Sequence, residues 1–169
     1  MWAGRRGGQS PKGTRPLLHE FLKTTELFRR LDDDALARVL MIGLIRRHVA
    51  GADILSEGGS GGFLHVIHRG RVRVSKLVDG VGEEALVILE PGDFFGELEF
   101  FDGVAAAAHV VAHTDCELLS IPHSELREVM TTDPKLGRTL LWAFGRAMSR
   151  RIRDTNDRLA ALLSISKAF

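Results

Sequence analysis

The chain has 169 residues, 44% of them hydrophobic, enough for one domain of ordinary size with a real core. Lysine and arginine total 23 and aspartate and glutamate 22, so the net charge of +1 gives no support to a global nucleic-acid or membrane-surface role. One cysteine, Cys116, excludes an internal disulfide framework and a thiolate metal cage.

The first stretch, MWAGRRGGQSPKGTRP, is basic, rich in Gly and Pro, and free of acidic residues. It lacks the apolar run of a secretory signal, and residues 1–16 are expected to form a disordered tail. The same composition faintly resembles an organelle presequence. No run is long and apolar enough to span a bilayer, so a cytoplasmic protein without a membrane partner is expected.

Leu17, Leu18, Phe21 and Leu22 recur at helical spacing. Asp32 or Asp33 then offers an N-cap for a second helix with Leu36, Val39 and Leu40 on one face. From about Leu44 the period changes to two. In GRVRVSKLV, Val72 and Val74 alternate with Arg71, Arg73 and Ser75, a half-buried strand. EALVILE reads as a further strand, separated from the first by the turn residues Asp79-Gly80-Val81-Gly82. Glu90-Pro91-Gly92-Asp93 is another turn, and HVVAHTDCELLSI supplies two more strands. Short strands with frequent turns predict an antiparallel sandwich or barrel. The glycines at 58, 59, 61 and 62 lack the Lys and Ser/Thr of a phosphate-binding P-loop and read as a tight connection. Asp133-Pro134 opens a last helix, with Leu136, Leu140, Phe144, Met148, Ile152, Thr155, Leu159 and Leu162 stepping by three or four. That helix is longer than one small barrel can cover. Its surplus apolar stripe predicts pairing with the same helix of a second copy.

Most candidate chemistry has a plain structural explanation. His65 and His68, three apart on a strand, fall on opposite faces, and His109 and His113 come without a carboxylate motif. The His-x-His pair of a metal-dependent jelly-roll enzyme is absent, so no metal ligand is assigned. No serine stands in a nucleophile elbow, and Asp115 beside Cys116 opposes thiolate formation, so no catalytic residue is assigned. Arg146, Arg150, Arg151 and Arg153 alternate with Asp154, Asp157 and Arg158 at spacings that predict a solvated, ion-paired helix face. The informative stretch is FFGELEFFDGVAAAAHVVA, from Phe94 to Ala112. Gly96 lets a backbone come close to a ligand. Glu97 starts a short helical turn whose amides attract an anion. Its own carboxylate would repel phosphate but suits a sugar hydroxyl.

Together these residues resemble the cyclic-nucleotide-binding domain family, from about Leu27 to the end of the chain. LFRRLDDDAL is similar to the family's N-terminal helices. AGADILSEGG and FLHVIHRGRVRVSK are similar to its first strands, ILEPGDFFGELEFFDG to its ligand cassette, and RRIRDTNDRLAALL to its dimerising last helix. The resemblance implies a mainly β fold, an eight-stranded antiparallel jelly-roll barrel over 17–133, with flanking helices and a C-terminal dimerisation helix over 134–169. It implies a ligand site at Phe95, Gly96, Glu97, Leu98, Ala106, Ala107, Ala108 and His109. In the family the Glu binds the ribose 2′-hydroxyl and a Pro-Arg-Ser/Thr-Ala run holds the cyclic phosphate with its Arg. Here Ala105 stands at the Pro position, Ala106 at the Arg position, and His109 replaces a common Thr. Loss of that cation removes about 2–5 kcal/mol, or roughly one and a half to three and a half decades of affinity. Protonated His109, or Arg71 or Arg73 from a neighbouring strand, are candidate substitutes. The expectation is a non-enzymatic regulatory module. It would sense cAMP, cGMP or a related small anion weakly, form a homodimer and signal to an unknown partner protein. The alternative is a degenerate domain that binds no nucleotide and serves as a dimeric scaffold. With the chain ending at Phe169, direct DNA binding is not expected. An iron–sulfur variant is excluded by the single cysteine, and a His-ligated haem variant ranks well below the nucleotide reading.

Overall fold

A computed structural model describes residues 14–166. In chain order these form helices α1 (Thr14–Thr24) and α2 (Asp33–Ile42), strands β1 (Leu44–His48), β2 (Asp53–Leu55), β3 (Phe63–Arg69), β4 (Val72–Val78), β5 (Gly82–Leu89) and β6 (Phe94–Phe95), helix α3 (Glu97–Asp102), strands β7 (His109–Ala112) and β8 (Cys116–Pro122), and helices α4 (His123–Thr132) and α5 (Pro134–Ser166). Of the expected tail, residues 1–13 lie outside the described residues, and Thr14, Arg15 and Pro16 already belong to α1.

The eight strands are antiparallel and form two sheets, ordered β1-β8-β3-β6 and β2-β7-β4-β5. This is jelly-roll order. Among the described residues no ladder joins the two sheets, so the container is a sandwich rather than a closed barrel. Ile67, Phe95 and Leu118 of the first sheet pack against Val72, Leu89 and Val110 of the second. The first sheet is covered on both faces. Leu64, Val66, Leu119 and Ile121 point the other way, onto the helices. Two-sided burial explains why six consecutive residues of β8, Glu117 and Ser120 included, are buried, while burial alternates along β7.

The helices close one side. Asp32 caps α2, accepting from the Ala35 amide at 2.9 Å. Asp133 does the same for α5, accepting from the amides of Lys135 and Leu136 at 3.1 Å each. Leu136, Leu140, Phe144 and Ala147 of α5 are buried with α1, α2 and the sheet. Gly137 is required by the crossing with α4, because a Cβ there would sit 2.4 Å from the Met130 carbonyl oxygen. Beyond Ala147 the helix leaves this core, and Ile152, Leu159 and Leu162 are exposed.

Candidate functional site

The cassette is built by backbone constraint. Gly96 adopts φ +83°, in the left-handed region, and a Cβ there would lie 2.3 Å from the Phe63 carbonyl oxygen. Only glycine satisfies both conditions. The close neighbour is therefore strand β3 rather than a ligand. The turn at Gly96 launches α3, placing Glu97 in its first turn and 5% exposed.

The Gly-rich connection between β2 and β3 forms the adjoining wall. Ala106 is tied to it twice, with its amide on Gly59 O at 2.9 Å and its carbonyl accepting from the Gly58 amide at 2.8 Å. Glu99 of α3 accepts from Ser60 Oγ at 2.5 Å and from the amides of Gly61 and Gly62 at 3.0 and 3.2 Å. Burial pushes its carboxyl up, but those bonds and His123 outweigh it and hold Glu99 below the usual carboxylate value. The tight-connection reading of the glycines therefore holds, with α3 as the anchor.

Between cassette, sheet and α5 lies a cavity of about 600 Å³, in the size range of small-molecule sites. Phe95, Gly96, Glu97, Leu98, Ala106, Ala107 and Ala108 all line it. His109 does not. The two-residue period of β7 turns Val110 inward instead, and His109 Nε2 lies 3.0 Å from Asp53 Oδ1 on the neighbouring strand. His109, expected as a ligand-site residue and as one candidate to compensate partly for the missing charge, therefore lies outside the cavity lining. Arg71 and Arg73 are also outside the lining, because Val74 faces the cavity from β4, and Arg73 Nη2 donates to Glu83 Oε1 at 3.1 Å.

The cations come from elsewhere. Arg150, Arg151 and Arg158 line the cavity, together with Ala147, Asp154 and Thr155 of the same helix. Arg150, Arg153 and Arg158 are exposed, as the solvated-face reading expects; Arg151 departs from it, half-buried against Glu97. Arg150 pairs with Glu26. Arg151 donates from Nη1 to Glu97 Oε1 at 2.8 Å and from Nη2 to the Phe94 carbonyl at 2.5 Å, with its guanidinium 4.4 Å from the Phe94 ring centre. Arg158 reaches the Leu86 carbonyl at 3.1 Å. Sequence reasoning missed them because i,i+4 acidic partners made them look self-satisfied. The signal that could have found them is the position of Arg151 on the half of α5 that leaves the core one turn after Ala147.

The remaining candidates are structural. His65 stacks on Phe95 with ring centres 4.7 Å apart and shares a 2.8 Å hydrogen bond with Ser120 Oγ. Burial, with Arg46, His48 and His123 adding to it, pushes His65 down to about 3. His68 Nδ1 lies 2.9 Å from Glu117 Oε1, and Arg47 Nε donates to Glu117 Oε2 at 2.8 Å. Burial and then Asp115 raise the thiol of buried Cys116. Among the described residues no group of His, Cys, Asp and Glu is placed to hold a metal ion, and no helix is long and apolar enough to cross a membrane.

Comparison with known proteins agrees with this fold. The family model described as "Cyclic nucleotide-binding domain" matches residues 45–133, more than half of the chain, and the chain belongs to that family. It is 27% identical over 146 residues to the CRP-like cAMP-activated global transcriptional regulator of Mycobacterium tuberculosis, covering 86% of this chain and 63% of the relative. Among solved structures, the Thermus thermophilus catabolite activator protein superposes with a TM-score of 0.71 at 26% identity, covering 82% of this chain and 63% of that one. The regulatory domain of Toxoplasma gondii PKA with cAMP superposes with a TM-score of 0.66 at 27% identity, over 72% of this chain and 46% of that one. The chain thus spans under two thirds of the length of these relatives. They are regulators by name.

Proposed function

We propose that the chain is a non-enzymatic sensor module that binds a cyclic nucleotide in the cavity between the cassette and α5 and transmits occupancy through α5. The observation that carries this reading is the cavity itself. One wall is the Gly96-Glu97-Leu98 turn and another is the helix that leaves the core. Glu97 offers a buried carboxylate to a sugar hydroxyl. Thr155 Oγ1 donates to the Arg151 carbonyl at 2.8 Å, which leaves its lone pairs toward a donor on the ligand. A ligand that fills the space touches Ala147, Arg151 and Thr155 and so changes the seating of α5.

The exposed half of α5 supports dimerisation. Ile152, Leu159 and Leu162 are each at least half exposed on a helix of 33 residues, roughly 50 Å long. Steps of four and three join Ile152, Thr155, Leu159 and Leu162, the seam spacing of a coiled coil. Its occupant in this reading is the same helix of a second copy.

Calorimetry and thermal shift with cAMP, cGMP and cyclic dinucleotides test the sensor reading. Saturable binding of a cyclic mononucleotide in the micromolar-to-millimolar range is expected. One observation favours the scaffold reading: in the free protein Glu97 is already engaged by Arg151, and Ala106 to Ala108 bring no side-chain donor. No response to any of these ligands at millimolar concentration would retire the sensor reading.

A further inference from the structure

We infer that Arg151, on α5, supplies the cationic contact for the anionic group of the ligand, in place of the charge that Ala106 lacks. The inference rests on the cyclic-nucleotide reading of the cavity.

Three guanidinium groups line the cavity, and all three stand on α5. They are not equivalent. Arg150 is held by Glu26, and Arg158, exposed, bonds the Leu86 carbonyl of β5. Of these three, Arg151 is the one that reaches the Gly96-Glu97-Leu98 turn. Its side chain is 34% exposed, and its head is fixed by Glu97, by the Phe94 carbonyl and by the face of the Phe94 ring. A guanidinium carries five N–H donors in a rigid fork. Two are used here, so three remain for oxygen atoms of a ligand.

A carboxylate and a guanidinium held side by side match one chemistry in particular: a hydroxyl adjacent to an anionic phosphodiester. The hydroxyl donates to Glu97 and the phosphate oxygens accept from Arg151. A ribose closed into a 3′,5′-cyclic phosphate carries its 2′-hydroxyl next to the phosphate-bearing carbon. Before binding, Glu97 and Arg151 satisfy each other. On binding, their single ion pair is replaced by two charge-assisted contacts to one ligand. Because the cation belongs to α5, the group that holds the anion is also the group that positions the helix. Affinity and transmission then depend on the same side chain.

Calorimetry on the full chain with cAMP and with adenosine, which keeps base and ribose but has no charge, tests this. Arg151→Ala is expected to weaken cAMP about tenfold to a hundredfold while changing adenosine by less than about threefold, since only the charged contact is lost. Arg151→Lys should recover part of the cAMP affinity, and Arg151→Gln provides a second neutral variant should Arg151→Ala fold poorly. Equal weakening of both ligands, or no change in the cAMP-to-adenosine ratio, overturns the assignment while leaving the cavity reading intact. Failure of the unsubstituted chain to bind cAMP at millimolar concentration overturns the cavity reading and this assignment with it.

Discussion

Restoring a cation at position 106 should convert a weak site into a strong one. Ala106 is 8% exposed and lines the cavity, and its backbone is held on both sides by Gly58 and Gly59. An arginine in Ala106→Arg therefore extends into about 600 Å³ of open space instead of displacing core. Glu97 and Glu99 line the same cavity and offset part of the cost of desolvating a guanidinium. A charge-assisted contact to phosphate contributes about 1.5–3 kcal/mol, or roughly tenfold to a hundredfold. The new charge also faces Arg151. At an effective dielectric of about 20, their repulsion in the empty protein is on the order of 1–3 kcal/mol. A bound phosphate relieves it. The expected signature is thus twofold: a melting temperature lower by a few degrees without ligand, and at least a tenfold gain in cAMP affinity by calorimetry. A variant that is folded by circular dichroism and gains no affinity would show that residues 105–108 do not face the nucleotide.

Phe144→Ala should cost about 3–5 kcal/mol in denaturant unfolding, because Phe144 is 1% exposed and its ring meets those of Phe94, Phe100 and Phe101. A loss under about 1 kcal/mol would contradict the docking of α5 on the cassette. The folded-state pKa of His65 is depressed to about 3 from 6.5, so the unfolded chain binds more protons between those values. Its contribution is fully present above pH 6.5 and falls as pH drops, by about 2 kcal/mol at pH 5. His48 and His123, pushed down by burial, act in the same direction. In His65→Phe the slope of stability against pH between 7 and 5 should flatten, and an unchanged slope would remove His65 as its source. Ile152→Glu with Leu159→Glu should yield a monomer in sedimentation, since both side chains are exposed on the proposed seam. Persistence of a dimer in that variant would place the interface elsewhere.

The fold was legible because its signals are local. Asp32 and Asp133 mark two helix starts, the alternation around Val72 and Val74 marks a half-buried strand, and the cassette motif orders the rest. Two features were not legible, for the same reason. Whether Arg151 faces water or Glu97 depends on where α5 crosses the sandwich, and i,i+4 spacing on one helix says nothing about a residue 54 positions away. The inward or outward direction of His109 depends on the phase of β7, which is set by its pairing with β4 and β2. Sequence reasoning assigns the glycine at 96 to ligand approach, whereas its close contact is with Phe63.

The most direct test of the account is a nuclear magnetic resonance titration of the isotope-labelled chain with cAMP. Amide resonances of Gly96, Glu97, Ala106, Ala107 and Ala108 on one wall, and of Arg151 and Thr155 on the other, should move together along one saturable curve. Silence at millimolar cAMP, or shifts confined to residues outside these two walls, would contradict it.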